Sequence, residues 1–223
     1  MKRYSRLILP FIGALLLTVS CKKADYLTDS GVHDPKTPLS TYDYLKQHPW
    51  QLFDTLVQVI DKYNLKEEVN NSATFFAPTD YSIKRYLDDR RLERQATNAA
   101  ADYSLDSLYK YITADSVRQY MFSEKLSLQE LPAQLPQAYS SLGKTAMGVF
   151  KELQTANTYT ERTNAPTYLL YLVKVRGTLD EPGTVPPASE IDIKVLCQTT
   201  GIQTANGAKT LHVLANTHPF VRF

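Results

Sequence analysis

The apolar positions change their period several times along the chain. Leu7 to Val19 is an apolar run of thirteen residues with no helical or strand alternation. A polar stretch follows, Lys22 to Pro38, with Gly31, Pro35 and Pro38 and no apolar rhythm. Ser40-Thr41-Tyr42-Asp43 has the pattern of a capping box and predicts a short helix. Pro49 suits the first position of the next helix, where Leu52, Phe53, Leu56, Val57, Val59, Ile60 and Tyr63 make a wide stripe at helical spacing. Asn70-Asn71 predicts a turn. Thr74-Phe75-Phe76-Ala77 predicts a short buried strand stopped by Pro78, and Thr79 or Asp80 can cap a helix bearing Ile83, Tyr86, Leu87 and Leu92.

Asp88 to Asp102 is charged and alanine-rich, and predicts a solvated helix end with a surface loop. Ser104 and Asp115 read as caps of two short helices that turn Leu105, Leu108, Tyr109 and Ile112, then Val117, Tyr120 and Met121, inward. After Pro136 the texture becomes that of strands, clearest at 148–150 and 168–175. Ile191, Ile193, Val195 and Cys197 alternate with Asp192 and Lys194, the period of a half-buried strand over 191–198. Asn206-Gly207 predicts a hairpin joining Ile202–Thr204 to Leu211–Leu214, with Ala208 and Lys209 lengthening the loop or adding a bulge. Helices followed by antiparallel strands predict an α+β fold in a single domain.

The first run changes meaning beside its neighbours. Lys2, Arg3 and Arg6 precede it, and at 1.5 Å per residue it reaches only about 20 Å, short of a bilayer core. That is the form of a secretory signal peptide. Leu17-Thr18-Val19-Ser20-Cys21 then resembles a bacterial lipobox, in which the cysteine carries lipid; a plain secreted protein is the alternative. The expected organisation is a signal peptide over 1–20, a lipidated N-terminus and tether over 21–38, and a domain over 39–223. An outer-membrane lipoprotein is expected, on either the periplasmic or the cell-surface face.

Charge follows the same division. The whole chain carries 25 basic and 23 acidic residues, a net +2. Without the three basic residues of the first twenty, the balance is −1. Near-neutrality argues against a nucleic-acid partner, which needs clustered cations. With Cys21 lipidated, Cys197 is the one remaining thiol and faces the core. No phosphate-binding glycine loop, nucleophile elbow or histidine–cysteine cluster occurs, so no enzyme, cofactor or metal is expected. His212 and His218 lack partners at ligand spacing.

Two segments resemble the paired signatures of fasciclin-like domains. They are ATFFAPTD over 73–80, followed by Ile83, and NGAKTLHVL over 206–214. The stretch Phe53-Asp54-Thr55-Leu56 with Tyr63-Asn64-Leu65 is similar to the family's first helix, so the resemblance covers about Leu39 to Ala215. It implies a wedge of about seven strands with several surrounding helices, and no catalytic machinery or cofactor. It makes Thr74, Phe75, Phe76, Ala77, Pro78, Thr79, Asp80, Asn206, Gly207, His212 and Val213 structural motif residues, with His212 hydrogen-bonded inside the wedge. Tyr120-Met121 stands where the family commonly has Tyr-His, and no Arg-Gly-Asp occurs, so integrin-type adhesion does not carry over. Arg90–Tyr103 reads as a surface insertion.

A lipobox, a tether, one such domain and the ending HVLANTHPFVRF are similar to lipoproteins of Bacteroidetes-type bacteria, often made alongside outer-membrane glycan uptake systems. The resemblance implies an adhesion or protein–protein interaction module, accessory to such a system. The alternative is a surface polysaccharide-binding protein; a glycan-active enzyme is the least favoured reading. Of the aromatic residues, Trp50, Tyr103, Tyr139 and Tyr159 lie off the apolar stripes and are the candidate ligand contacts.

Overall fold

Ser40 opens the first helix, α1 (Thr41–Lys46), as its sequence predicts. Its Oγ accepts the Asp43 N–H at 3.1 Å and donates to the Asp43 carboxylate at 2.8 Å. The structure, a computed structural model, describes residues 34–155 and 166–223; the apolar run 7–19, Cys21 and Tyr159 lie outside them. Residues Pro35–Phe223 form one unit. The expected tether is docked at its end. Gln203 N–H donates to Pro35 O and Thr37 N–H to Gln203 O, both at 2.8 Å, so residues 35–38 belong to the domain.

Helix α2 (Asp54–Lys62) starts later than Pro49, because Gln51 adopts φ +50° and interrupts the backbone. Its stripe buries Leu56, Val57, Val59 and Ile60 as the spacing predicts. Helix α3 (Lys66–Asn71) runs through Asn70-Asn71, and the turn follows at Ser72. Asn70 has a different task there: its Oδ1 accepts the Tyr42 N–H at 2.9 Å, closing the start of α1 from outside.

Strand β1 (Thr74–Ala77) leads into α4 (Asp80–Gln95), which Thr79 caps through the Ser82 N–H. Ile83 and Tyr86 are buried, but Leu92, expected inside, is 63% exposed because the helix continues past the core. Its outer turns carry Lys84–Asp88, Arg91–Asp88 and Arg90–Glu93 ion pairs, in keeping with a solvated face. Ser104 begins α5 (Leu105–Leu108), as predicted. The cap of α6 (Ala114–Arg118) is Thr113 rather than Asp115. Thr113 and Ser116 form a reciprocal capping pair, and Asp115 lies within the first turn.

The strands β2 (Met121–Phe122), β3 (Gln137–Ser140), β4 (Ala146–Leu153), β5 (Tyr168–Lys174), β6 (Ile193–Thr204) and β7 (Lys209–Leu214) join β1 in one sheet of order β2-β1-β7-β6-β5-β4-β3. The β1–β7 pair is parallel and the others are antiparallel, so the described residues form a mixed α+β fold with seven strands and several helices. β6 is one strand where the sequence predicts two; its register shifts between Cys197 and Ile202, around Gly201 at φ +76°. Val195 and Cys197 are buried as expected, but the strand starts at Ile193 instead of 191, and the two residues before it reverse the expected alternation. Ile191 is 48% exposed and Asp192 is buried. The Asp192 carboxylate accepts the Arg176 and Asp180 N–H groups at 2.8 Å, and those bonds draw it inward.

Candidate functional site

The two motif segments lie side by side although about 130 residues separate them in sequence. In the β1–β7 ladder Thr74 pairs with Thr210, Phe75 with Leu211, Phe76 with His212 and Ala77 with Val213. Phe75 and Phe76 are both buried, because β1 is covered on both faces. Thr74 Oγ1 donates to Glu124 O at 2.8 Å and accepts the Leu126 N–H at 2.9 Å, fixing the loop after β2. Asn206 and Gly207 form the β6–β7 turn at φ +57° and +94°.

His212 is buried against Phe76, with ring centroids 4.9 Å apart and planes near parallel. Its Nδ1 accepts the Gly201 N–H at 3.2 Å, so the ring proton sits on Nε2, which donates to Leu126 O at 2.8 Å. Burial pushes its pKa down to about 4, against a smaller upward pull from the Leu126 carbonyl. Both ring nitrogens are thus bonded to backbone groups.

Thr79 Oγ1 donates to Asn216 Oδ1 at 2.9 Å, in addition to capping α4. Asp80 is not the cap of its own helix. Its carboxylate accepts the N–H groups of Thr55 and Leu56 at 2.9–3.0 Å, at the start of α2. In return Asp80 N–H donates to Leu52 O at 2.9 Å. Burial raises the Asp80 pKa, and the amides of Thr55 and Leu56 pull it back.

These bonds shape a cleft of about 200 Å³ beside them, lined by Trp50, Gln51, Leu52, Thr55, Asp80, Tyr81 and Lys84. Trp50 stands 82% exposed and Tyr81 60% exposed on its margin. Trp50 sits at the tip of a turn closed by the Gln51 N–H to His48 O bond at 3.0 Å. Its ring meets His48 edge-on at a centroid distance of 5.6 Å, and His48 in turn packs edge-on against buried Phe53 at 5.1 Å. Lys84 Nζ lies 2.5 Å from the Asp88 carboxylate.

Of the other predicted contacts, Tyr103 is corrected. It is 2% exposed, packed against Tyr86 and Tyr111 with the Arg94 guanidinium over its ring, and presents no face to a ligand. The inward turn of 103 also ties the end of the expected insertion to the core. Tyr139 is half-buried on β3, and its hydroxyl donates to Gln137 Oε1 at 2.6 Å. The sequence marks Tyr81 only weakly: it falls off the Ile83–Tyr86 stripe of α4, where an aromatic has no core to join.

An aromatic cluster without a local sequence signal lies at the C-terminal end. His218 Nε2 is 2.8 Å from the Tyr120 hydroxyl, and Phe220 and Phe223 stack on the Tyr120 ring at 6.3 and 5.9 Å. Tyr120 thus has a histidine neighbour, delivered from far along the chain instead of from position 121. Burial lowers the His218 pKa to about 3. A second cleft, about 310 Å³, lies among residues 178–190 and bears Asp180, Glu181 and Glu190. Among the described residues no group of histidine, cysteine and carboxylate side chains has the arrangement of a metal site.

No family model matches the chain, and no curated protein matches it.

Proposed function

We propose that the chain is a non-enzymatic envelope lipoprotein, anchored through Cys21, whose domain is a fasciclin-like binding module. The observation that supports this reading is the junction of the two motif segments. They form neighbouring parallel strands, and Thr74, Thr79, Asp80 and His212 each use their polar atoms on backbone groups or helix ends. A motif engaged in that way is a scaffold, and recognition falls to side chains arrayed around it.

Two kinds of partner suit such a module: a protein, as in adhesion or an outer-membrane glycan uptake complex, and a polysaccharide. One observation favours the polysaccharide. The single tryptophan is almost fully exposed, on a braced turn, beside a second exposed aromatic ring. Electrophoresis through gels containing neutral polysaccharides tests this: selective retardation supports it. Co-purification with an outer-membrane transporter and no retardation favours the protein partner, and turnover of a glycan overturns the non-enzymatic reading. For the anchor, Cys21→Ser should release the protein from membranes; a variant that still fractionates with the outer membrane overturns lipidation. Protease shaving of whole cells reports the face: cleavage places the domain on the cell surface.

A further inference from the structure

We infer that the cleft between Trp50 and Tyr81 binds one pyranose ring of a neutral saccharide chain. The inference rests on the reading of the domain as a polysaccharide-binding module, and deepens it by naming the site and the charge class of the ligand.

The argument starts from the rings. A pyranose has an apolar face of C–H groups and a rim of hydroxyls. The C–H face is attracted to the electron-rich face of an aromatic ring, while the hydroxyls seek donors and acceptors beside it. Trp50 and Tyr81 supply exposed faces on one cleft. Around them stand the Gln51 amide, the Tyr81 hydroxyl and the Lys84 ammonium, which has three N–H donors and an Asp88 partner for one of them. The Asp80 carboxylate is largely occupied by the amides of Thr55 and Leu56 and serves mainly to shape the cleft floor.

Size and rigidity agree with a single ring. The volume, about 200 Å³, is below the roughly 300–1,000 Å³ of an enclosed small-molecule pocket. An open cleft of that size suits one unit of a longer chain that continues past it. The turn at 48–51 sets the Trp50 backbone, and one edge of its ring meets His48, itself wedged against Phe53, so part of the ordering that binding requires is already in place.

Charge selects against acidic glycans. Asp80 lines the cleft, Asp54 lies close enough to act on it electrostatically, and Lys84 shares Asp88 with Arg91, so the three carboxylates outnumber the two cations. An anionic uronate chain meets net negative charge here; a neutral hexose or pentose chain does not.

Because Trp50 is the only tryptophan in the sequence, its fluorescence reports this site alone. The full-length mature protein, in a detergent without a sugar headgroup, is titrated with cellohexaose, maltohexaose, laminarihexaose, mannohexaose and xylohexaose, and with hexagalacturonate as the anionic counterpart. At least one neutral hexasaccharide should move the emission to shorter wavelength. It should also reduce acrylamide quenching about twofold, since stacking covers one of the two ring faces. Tyr81→Ala removes an exposed side chain, leaves Trp50 as reporter, and should weaken that binding about tenfold. Tyr81→Phe, which keeps the ring, should bind nearly as the wild type does. The inference is overturned if no neutral hexasaccharide protects Trp50, if protection is unchanged in Tyr81→Ala, or if hexagalacturonate or an unrelated peptide protects it as well. Retardation in polysaccharide gels without Trp50 protection would sink this site and leave glycan binding standing; neither retardation nor protection would sink both.

Discussion

Asp80 and Thr55, twenty-five residues apart, are joined by both oxygens of one carboxylate: Oδ1 and Oδ2 accept the Thr55 N–H at 3.0 and 2.9 Å. Oδ1 also accepts the Leu56 N–H, so a residue inside α4 serves as the cap of α2, whose own preceding residue, Phe53, has no capping oxygen. Asp80→Ala should therefore cost about 1–2 kcal/mol, the usual value of a lost helix cap, and Asp80→Asn should cost less. Urea midpoints of the two variants check this. Equal midpoints for Ala and wild type would mean that the bond has no net worth.

Histidine burial sets the acid limit. His212 and His218 have folded pKa values near 4 and 3, below the ordinary 6.5, because burial opposes the charged ring. The unfolded chain takes up these protons below pH 6.5 while the folded chain does not. Stability is thus fully present above that pH, and falls as pH drops toward the folded values, by about 1.4 kcal/mol per pH unit for each ring. Urea midpoints should decline steadily from pH 6 to pH 4, and His218→Phe should show a shallower decline. A flat profile across that range contradicts the burial of both rings in neutral form.

Phe220 is fully buried and stacks on Tyr120. Phe220→Ala should lower stability by about 3–5 kcal/mol, the range for a buried phenylalanine truncated in place. Thermal melting checks it; a change below about 1 kcal/mol would show that the tail is not part of the cooperative core.

Cys197 should be inert in the native protein. Its side chain is buried and burial pushes its thiol pKa up, which suppresses the reactive thiolate. A thiol reagent such as DTNB should leave it unmodified at pH 8 and titrate it after unfolding in urea. Rapid native modification would contradict its place in the core.

Local signals were legible wherever one short segment carried its own instructions. The Ser40 cap, the α2 stripe, the β1 strand stopped by Pro78, the Thr79 cap and the Asn206-Gly207 turn all stand where the sequence predicts them. The local signals fall short where a distant group supplies the deciding bond. Asn70 stays helical and serves α1, Asp192 is drawn inward by the amides of Arg176 and Asp180, and Asp80 serves α2. The candidate site divides in the same way. Trp50 breaks the periodicity, and it stands exposed on the cleft. Tyr103 was misjudged because Tyr86 and Arg94, which cover it, lie on another element.

The sequence by itself determined the mixed α+β class of the fold, the starts of α1, α4 and α5, and the near-balance of acidic and basic residues along the chain. Periodicity, caps and turn residues act over a few residues and need no partner to be read. Only the tertiary structure decided that β1 lies parallel to β7, that His218 reaches Tyr120, and that Tyr81 stands with Trp50 on one cleft. Each of these joins groups that are distant in sequence, and their meeting is set by how the whole core closes.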